Sequence, residues 1–119
     1  MNSVAVIERF EPRELGPKSW GIELLVAETP HYTGKVMWMN AGSGGALQYH
    51  ERKDEAFYLF SGRAIVRYQD SAGNLHSEEI EPGDAFHIPP GAVHQVEAIT
   101  DCVIFEASTP VFDDRVKVG

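Results

Sequence analysis

Residues 42–62 read GSGGALQYHERKDEAFYLFSG and residues 83–98 read GDAFHIPPGAVHQVEA. In the first stretch a glycine-rich turn gives way to alternating polar and apolar residues, the pattern of a half-buried strand. Gln48 and His50 are two residues apart, so on a strand their side chains leave from the same face. Glu55 follows across a kink at Arg52 to Asp54. His94 arrives from the second stretch, where Pro89, Pro90 and Gly91 end one apolar run so that the next can begin. Two imidazoles, a carboxylate and an amide supplied by two short segments are a donor set for one divalent metal ion.

Outward from these stretches the chain reads as short strands. Val4 to Ile7 is an apolar run expected to form an edge strand, and Glu11 to Lys18, with Pro12, Gly16 and Pro17, is expected to be a loop. Trp20 to Ala27 and Lys35 to Asn40 are rich in β-forming residues, the latter with Val36, Trp38 and Asn40 on one face. Ala46 to His50, Ala56 to Phe60, Arg63 to Gln69, Leu75 to Ile80, Ala85 to Ile88, Val93 to Ile99 and Cys102 to Ala107 complete the set. The segment DSAGN at Asp70 to Asn74 is a hairpin turn, and the charged tail from Ser108 is expected to lie across the end of the barrel. No segment sustains a helical apolar period. The fold class is therefore all-β, a barrel or sandwich, and 119 residues support one domain with one core.

A net charge of −8 disfavours nucleic acid and anionic membranes as partners. Cys102 is the sole cysteine and lies in an apolar run, so a buried thiol is expected. No signal-peptide core or membrane span is visible at the start, which reads as cytoplasmic.

From Gly42, five residues lead to Gln48, one more to His50, four intervene before Glu55 and six before Gly62; Gly83, Pro89, Gly91 and His94 follow with matching order. This spacing resembles the two motifs of single-domain cupins, motif 1 at residues 42–62 and motif 2 at residues 83–98. Gln48 stands where that family usually carries histidine, and Ala98 where it often carries asparagine. The resemblance implies a double-stranded β-helix, the jelly-roll β-barrel, over residues 1–119. It also implies a metal bound by Gln48, His50, Glu55 and His94, and a homodimer that pairs its N-terminal strands. Because an amide is a poorer ligand than imidazole for zinc, Mn or Fe become realistic beside Zn, with Co and Ni also open. Gln48 either ligates the ion or hydrogen-bonds its water.

LQYHERKDEAFYLFSGRA is similar to the corresponding stretch of mannose-6-phosphate isomerase-like cupins. That likeness implies a small-molecule substrate and an aldose–ketose isomerase acting on a sugar or sugar phosphate through an enediolate. Its base would be His87 or Glu97, with Glu106 a further strand carboxylate that is more simply solvated. Lys35, Arg52 and Arg67 read first as surface charges, and become a clamp if the substrate carries phosphate or carboxylate. Lys53 also reads as a surface charge, and Trp38 as barrel packing or an aromatic at the mouth. The overall negative charge tilts the expectation to a neutral sugar or to a phosphate held by one local basic clamp. Two other readings stand beside this one: an Fe(II) dioxygenase or metal-assisted lyase acting on a small organic acid, and a non-catalytic binder of small ligands.

Overall fold

The computed structural model describes residues 4–119. Eleven strands form among them and no helix. They are β1 (Arg13–Lys18), β2 (Gly21–Glu28), β3 (Thr33–Met39), β4 (Gln48–His50), β5 (Glu55–Ser61), β6 (Ala64–Gln69), β7 (Leu75–Ile80), β8 (Ala85–Ile88), β9 (His94–Ala98), β10 (Cys102–Ser108) and β11 (Arg115–Lys117). Two antiparallel sheets result, ordered β1-β2-β3-β10-β5-β8 and β11-β4-β9-β6-β7. Chain neighbours β4 and β5 lie in different sheets, as do β9 and β10, so the chain crosses repeatedly between the layers. That is a jelly roll.

Alternation decides what each strand buries. On β5, Glu55, Phe57 and Leu59 point inward while Ala56, Tyr58 and Phe60 are exposed. On β10, Cys102, Ile104 and Ser108 are buried, with Phe105 and Ala107 exposed between them. The apolar core gathers at one end around Leu59, Ile80, Ala64 and Ile104, each at most 1% exposed. Cys102 joins it as expected, its burial raising the thiol's pKa. The other end of the interior is polar and open.

Gly62 shows why one motif glycine is needed. Its φ is +89°, and an added Cβ would stand 2.2 Å from the Asp101 carbonyl oxygen, so a side chain there would collide with the chain returning into β10.

The N-terminal region departs from the sequence reading in two places. Val4 to Ile7 forms no strand, and Val4, Val6 and Ile7 are exposed. The expected loop at Glu11 to Lys18 instead contains β1, which pairs with β2 from Arg13 opposite Leu25 to Lys18 opposite Gly21. As the outermost strand of its sheet it tolerates Pro17, which has no N–H to donate. At the other terminus the tail adds β11 to the edge of the smaller sheet beside β4, with Arg115 opposite His50. No helix among the described residues is long and apolar enough to cross a membrane.

Candidate metal centre and its cavity

The two motif stretches meet along β5 and β8 and, in the other sheet, at Gln48 of β4 opposite His94 of β9. Glu55, the first residue of β5, lies opposite Ser108 of β10 and Ile88 of β8, and so faces that pair from the other sheet. Ligand atoms of His50, Glu55 and His94 all lie within 4.8 Å of one another. Nε2 of His94 is 3.3 Å from Glu55 Oε1, and Nε2 of His50 is 3.7 Å from Glu55 Oε2.

Each imidazole is oriented from behind. His94 Nδ1 donates to the Ala92 carbonyl at 2.9 Å, and His50 Nδ1 donates to Asp114 Oδ1 at 3.1 Å. An acceptor at each Nδ1 fixes the ring with Nε2 turned to the centre; His94 Nε2 there donates to Glu55 Oε1 and offers a lone pair to a metal once that proton leaves. Asp114 does a second job. Its Oδ2 accepts the backbone N–H groups of Arg52 and Lys53 at 2.6 and 2.8 Å, which fixes the kink between His50 and Glu55.

One acceptor in the centre, Gln48 Oε1, lacks a hydrogen bond among the described residues, while Glu55 Oε2 is met by the Lys53 ammonium at 2.8 Å. Leaving a buried acceptor unsatisfied costs on the order of 1–3 kcal/mol. An orphaned amide oxygen and a carboxylate beside two inward Nε2 atoms fit a divalent cation, with Gln48, His50, Glu55 and His94 as the residues that would hold it.

Charge fills the space beside this centre. Lys53 Nζ is 2.8 Å from Glu55 Oε2 and 3.2 Å from Glu106 Oε2, and Lys35 Nζ is 3.7 Å from the same Glu106 oxygen. Burial pushes the Glu55 carboxyl up, but the His94 hydrogen bond and the Lys53 ammonium overcome it and hold the pKa at about 2. Burial raises Glu106 above the ordinary carboxylate range, against the pull of Lys53. It lowers His50, while for His94 the hydrogen bonds to Glu55 and Ala92 outweigh burial and raise it. Lys53 is raised because Glu106 and Glu55 outweigh its desolvation.

The cavity over the centre has a volume of about 540 Å³, within the range of small-molecule sites. Lys35 lines it, as the clamp reading requires. The other sequence candidates do not enter it. His87 follows Phe86 and precedes Ile88, both turned inward, so it faces out, where its Nε2 pairs with Asp54 at 2.7 Å. Glu97 and Arg67 face out from adjacent strands and pair with each other at 2.9 Å. Arg52 is exposed at the kink, and Trp38 faces outward between the inward Met37 and Met39. Lys53 and Glu106, read as surface groups, are cavity groups instead. Glu106 was legible through strand parity, since it shares its face with Cys102 and Ile104. Nothing local marks Lys53 within the polar run ERKDE, or Asp114 in the tail.

Residues 35–108 match the family model described as a cupin domain. The chain is a cupin. Among solved structures, this cupin is similar to KdgF from Halomonas sp., at 25% identity over 86% of this chain and 89% of that one, with a TM-score of 0.73. It is similar in fold to the capsular polysaccharide assembling protein CapF from Staphylococcus aureus, at 19% identity, with 92% of this chain and 32% of that one covered and a TM-score of 0.79. Oxalate decarboxylase from Bacillus subtilis shares the fold at 16% identity, with 99% of this cupin and 33% of that chain covered and a TM-score of 0.77. The cupin thus spans about a third of the length of CapF and of the decarboxylase. No curated protein sequence matches it.

Proposed function

We propose that this cupin is a metal-dependent aldose–ketose isomerase, acting on a small polyhydroxylated carbonyl compound and moving a proton between adjacent carbons. The observation that carries this reading is a shared cavity: Glu106, a basic carboxylate, opens into the same space as the His50, Glu55, His94 and Gln48 donor set. A divalent ion held there supplies Lewis-acid stabilisation to negative charge developing on neighbouring substrate oxygens. Glu106 takes the role first assigned to His87 or Glu97. Its burial makes it a stronger base than an exposed carboxylate, while Lys53 beside it favours the ionised form that accepts a proton. Met37, Met39 and Phe112 wall the cavity and reduce water's access to the reacting carbons.

The test begins with metal content in protein purified without chelator, beside His50→Ala and Glu55→Ala. Near-stoichiometric Mn, Fe, Co, Ni or Zn in wild type and its loss in both variants is expected. Metal-loaded protein should then interconvert an aldose and its ketose, and Glu106→Gln should lower kcat by about 10²- to 10⁴-fold with metal retained. Absence of metal from wild type, or no turnover of any aldose, free, phosphorylated or acidic, overturns the reading.

A second reading is favoured by one specific feature. His50, His94 and Glu55 are a two-histidine, one-carboxylate set, which non-haem Fe(II) oxygenases use. Oxygen uptake that depends on Fe(II) and on an organic acid would select it.

A further inference from the structure

The cavity is electrically unlike the protein around it. The chain carries −8, yet the cavity lining holds four basic residues (Lys18, Lys35, Lys53, Arg115) and four acidic ones (Glu23, Glu55, Glu106, Asp113). A divalent cation at the candidate centre would leave this neutral lining with a surplus of positive charge.

Donors also exceed acceptors at one place. Lys35 is 7% exposed, and its ammonium brings three N–H donors into the cavity. Its sole ion-pair partner among the described residues is Glu106 Oε2, at 3.7 Å too long for a hydrogen bond, and that oxygen already lies 3.2 Å from Lys53. The Phe112 ring 5.2 Å from Lys35 Nζ offers a cation–π contact but accepts no conventional hydrogen bond. Arg115, entering from β11, lines the same space and forms no ion pair with a described residue. Lys18 differs, being paired with Glu23 at 3.7 Å. A buried ammonium without an acceptor is costly, so its donors call for a ligand that brings one.

We propose that Lys35, with Arg115, is an anion subsite, and that the substrate is an acidic sugar or sugar phosphate whose carboxylate or phosphate sits there. This deepens the isomerase reading and rests on it for the placement of the carbonyl end at the metal centre. The anion subsite itself uses only residues outside the donor set. Lys35 supplies a point charge with rotatable donors, and Arg115 a fork that matches two oxygens of either oxyanion. A neutral sugar would leave the buried Lys35 with only the Glu106 carboxylate, beyond hydrogen-bond distance, as its counter-charge.

Titration calorimetry with glucose, glucuronate and mannose 6-phosphate tests this on wild type, Lys35→Met and Arg115→Met, with metal content measured in each preparation. At least one acidic ligand should bind wild type about tenfold or more tighter than glucose, and Lys35→Met should remove that preference while retaining metal. Which acidic ligand is preferred assigns the site to a carboxylate or a phosphate. Equal affinities, no detectable binding of either acid at millimolar concentration, or a preference that survives in both variants overturns the subsite. Metal-free protein that keeps the acid preference would instead retain the subsite and remove the isomerase reading. Circular dichroism of each variant checks the fold, and Lys35→Arg, which keeps the charge, should restore at least part of the preference.

Discussion

Asp114 Oδ1 lies 3.1 Å from His50 Nδ1, across 64 residues of chain, so the tail orients a motif imidazole. Removing such an orienting carboxylate typically costs 10- to 100-fold in metal affinity. Asp114→Ala should show that loss in competition with a chromophoric chelator. It should also destabilise the metal-free protein by about 1–3 kcal/mol in urea, because the Arg52 and Lys53 amides lose their acceptor. Asp114→Asn, which keeps an accepting oxygen, should lose less on both counts.

Lys53 already puts a positive charge on a prospective ligand oxygen, at 2.8 Å from Glu55 Oε2. An ammonium and a divalent ion compete for that oxygen. Lys53→Met is expected to weaken the metal-free protein by about 3–5 kcal/mol, since Glu55 and Glu106 lose their shared partner. It should enlarge the rise in Tm on adding Mn(II) or Zn(II), because the ion then takes the place of the lost ammonium at Glu55 Oε2. A Tm rise no greater than that of wild type would refute the competition.

Acid should unfold the metal-free protein in a defined window. Glu55 and Asp114 both sit at about 2 when folded, below the roughly 4 of an unfolded carboxyl. Between about pH 4 and pH 2 the unfolded chain therefore binds more protons, and stability falls as the pH drops. Above that window both contributions are fully present. Urea midpoints from pH 6 to pH 2 should show the decline, and Asp114→Asn should flatten it.

The outer face of the larger sheet should pair two copies of the chain. Leu24, Val36, Phe105 and Tyr58 are cross-strand neighbours in one row, and Ile22, Trp38 and Val103 in the next, without a charged side chain among them. Phe60 and Tyr58 are 56% and 42% exposed, and contiguous exposed apolar surface of this kind marks an interaction site. A chain of charge −8 repels its own copies elsewhere, whereas this face can meet itself without burying charge. Sedimentation should give a dimer at micromolar concentration and a folded monomer for Phe105→Glu or Phe60→Lys. A monomeric wild type, or a dimer in both variants, would exclude this face. The pairing differs from one through Val4 to Ile7, which forms no strand within the chain.

Strand order along the chain was legible because alternation is local. Gln48 and His50 share a face whatever surrounds them, and Pro89 to Gly91 must break the chain before His94. The same logic reaches Glu106 once Cys102 is taken as buried. It misplaced His87, because a four-residue strand, Ala85–Ile88, does not reveal which of its faces is covered. The N-terminal elements went astray for a related reason: Val4 to Ile7 is the more apolar run, but an edge strand forms where a partner's free edge lies, and that edge, on β2, receives Arg13 to Lys18.

The sequence by itself determined an all-β cupin with two imidazoles and a carboxylate at metal-binding spacing, because strand period and turn chemistry are properties of neighbouring residues. Only the tertiary structure decided the charges around them. Lys53, Glu106 and Asp114 come from a kink, a distant strand and the tail, and charged side chains become cavity groups only when the fold removes them from water and brings their partners within about 3 Å.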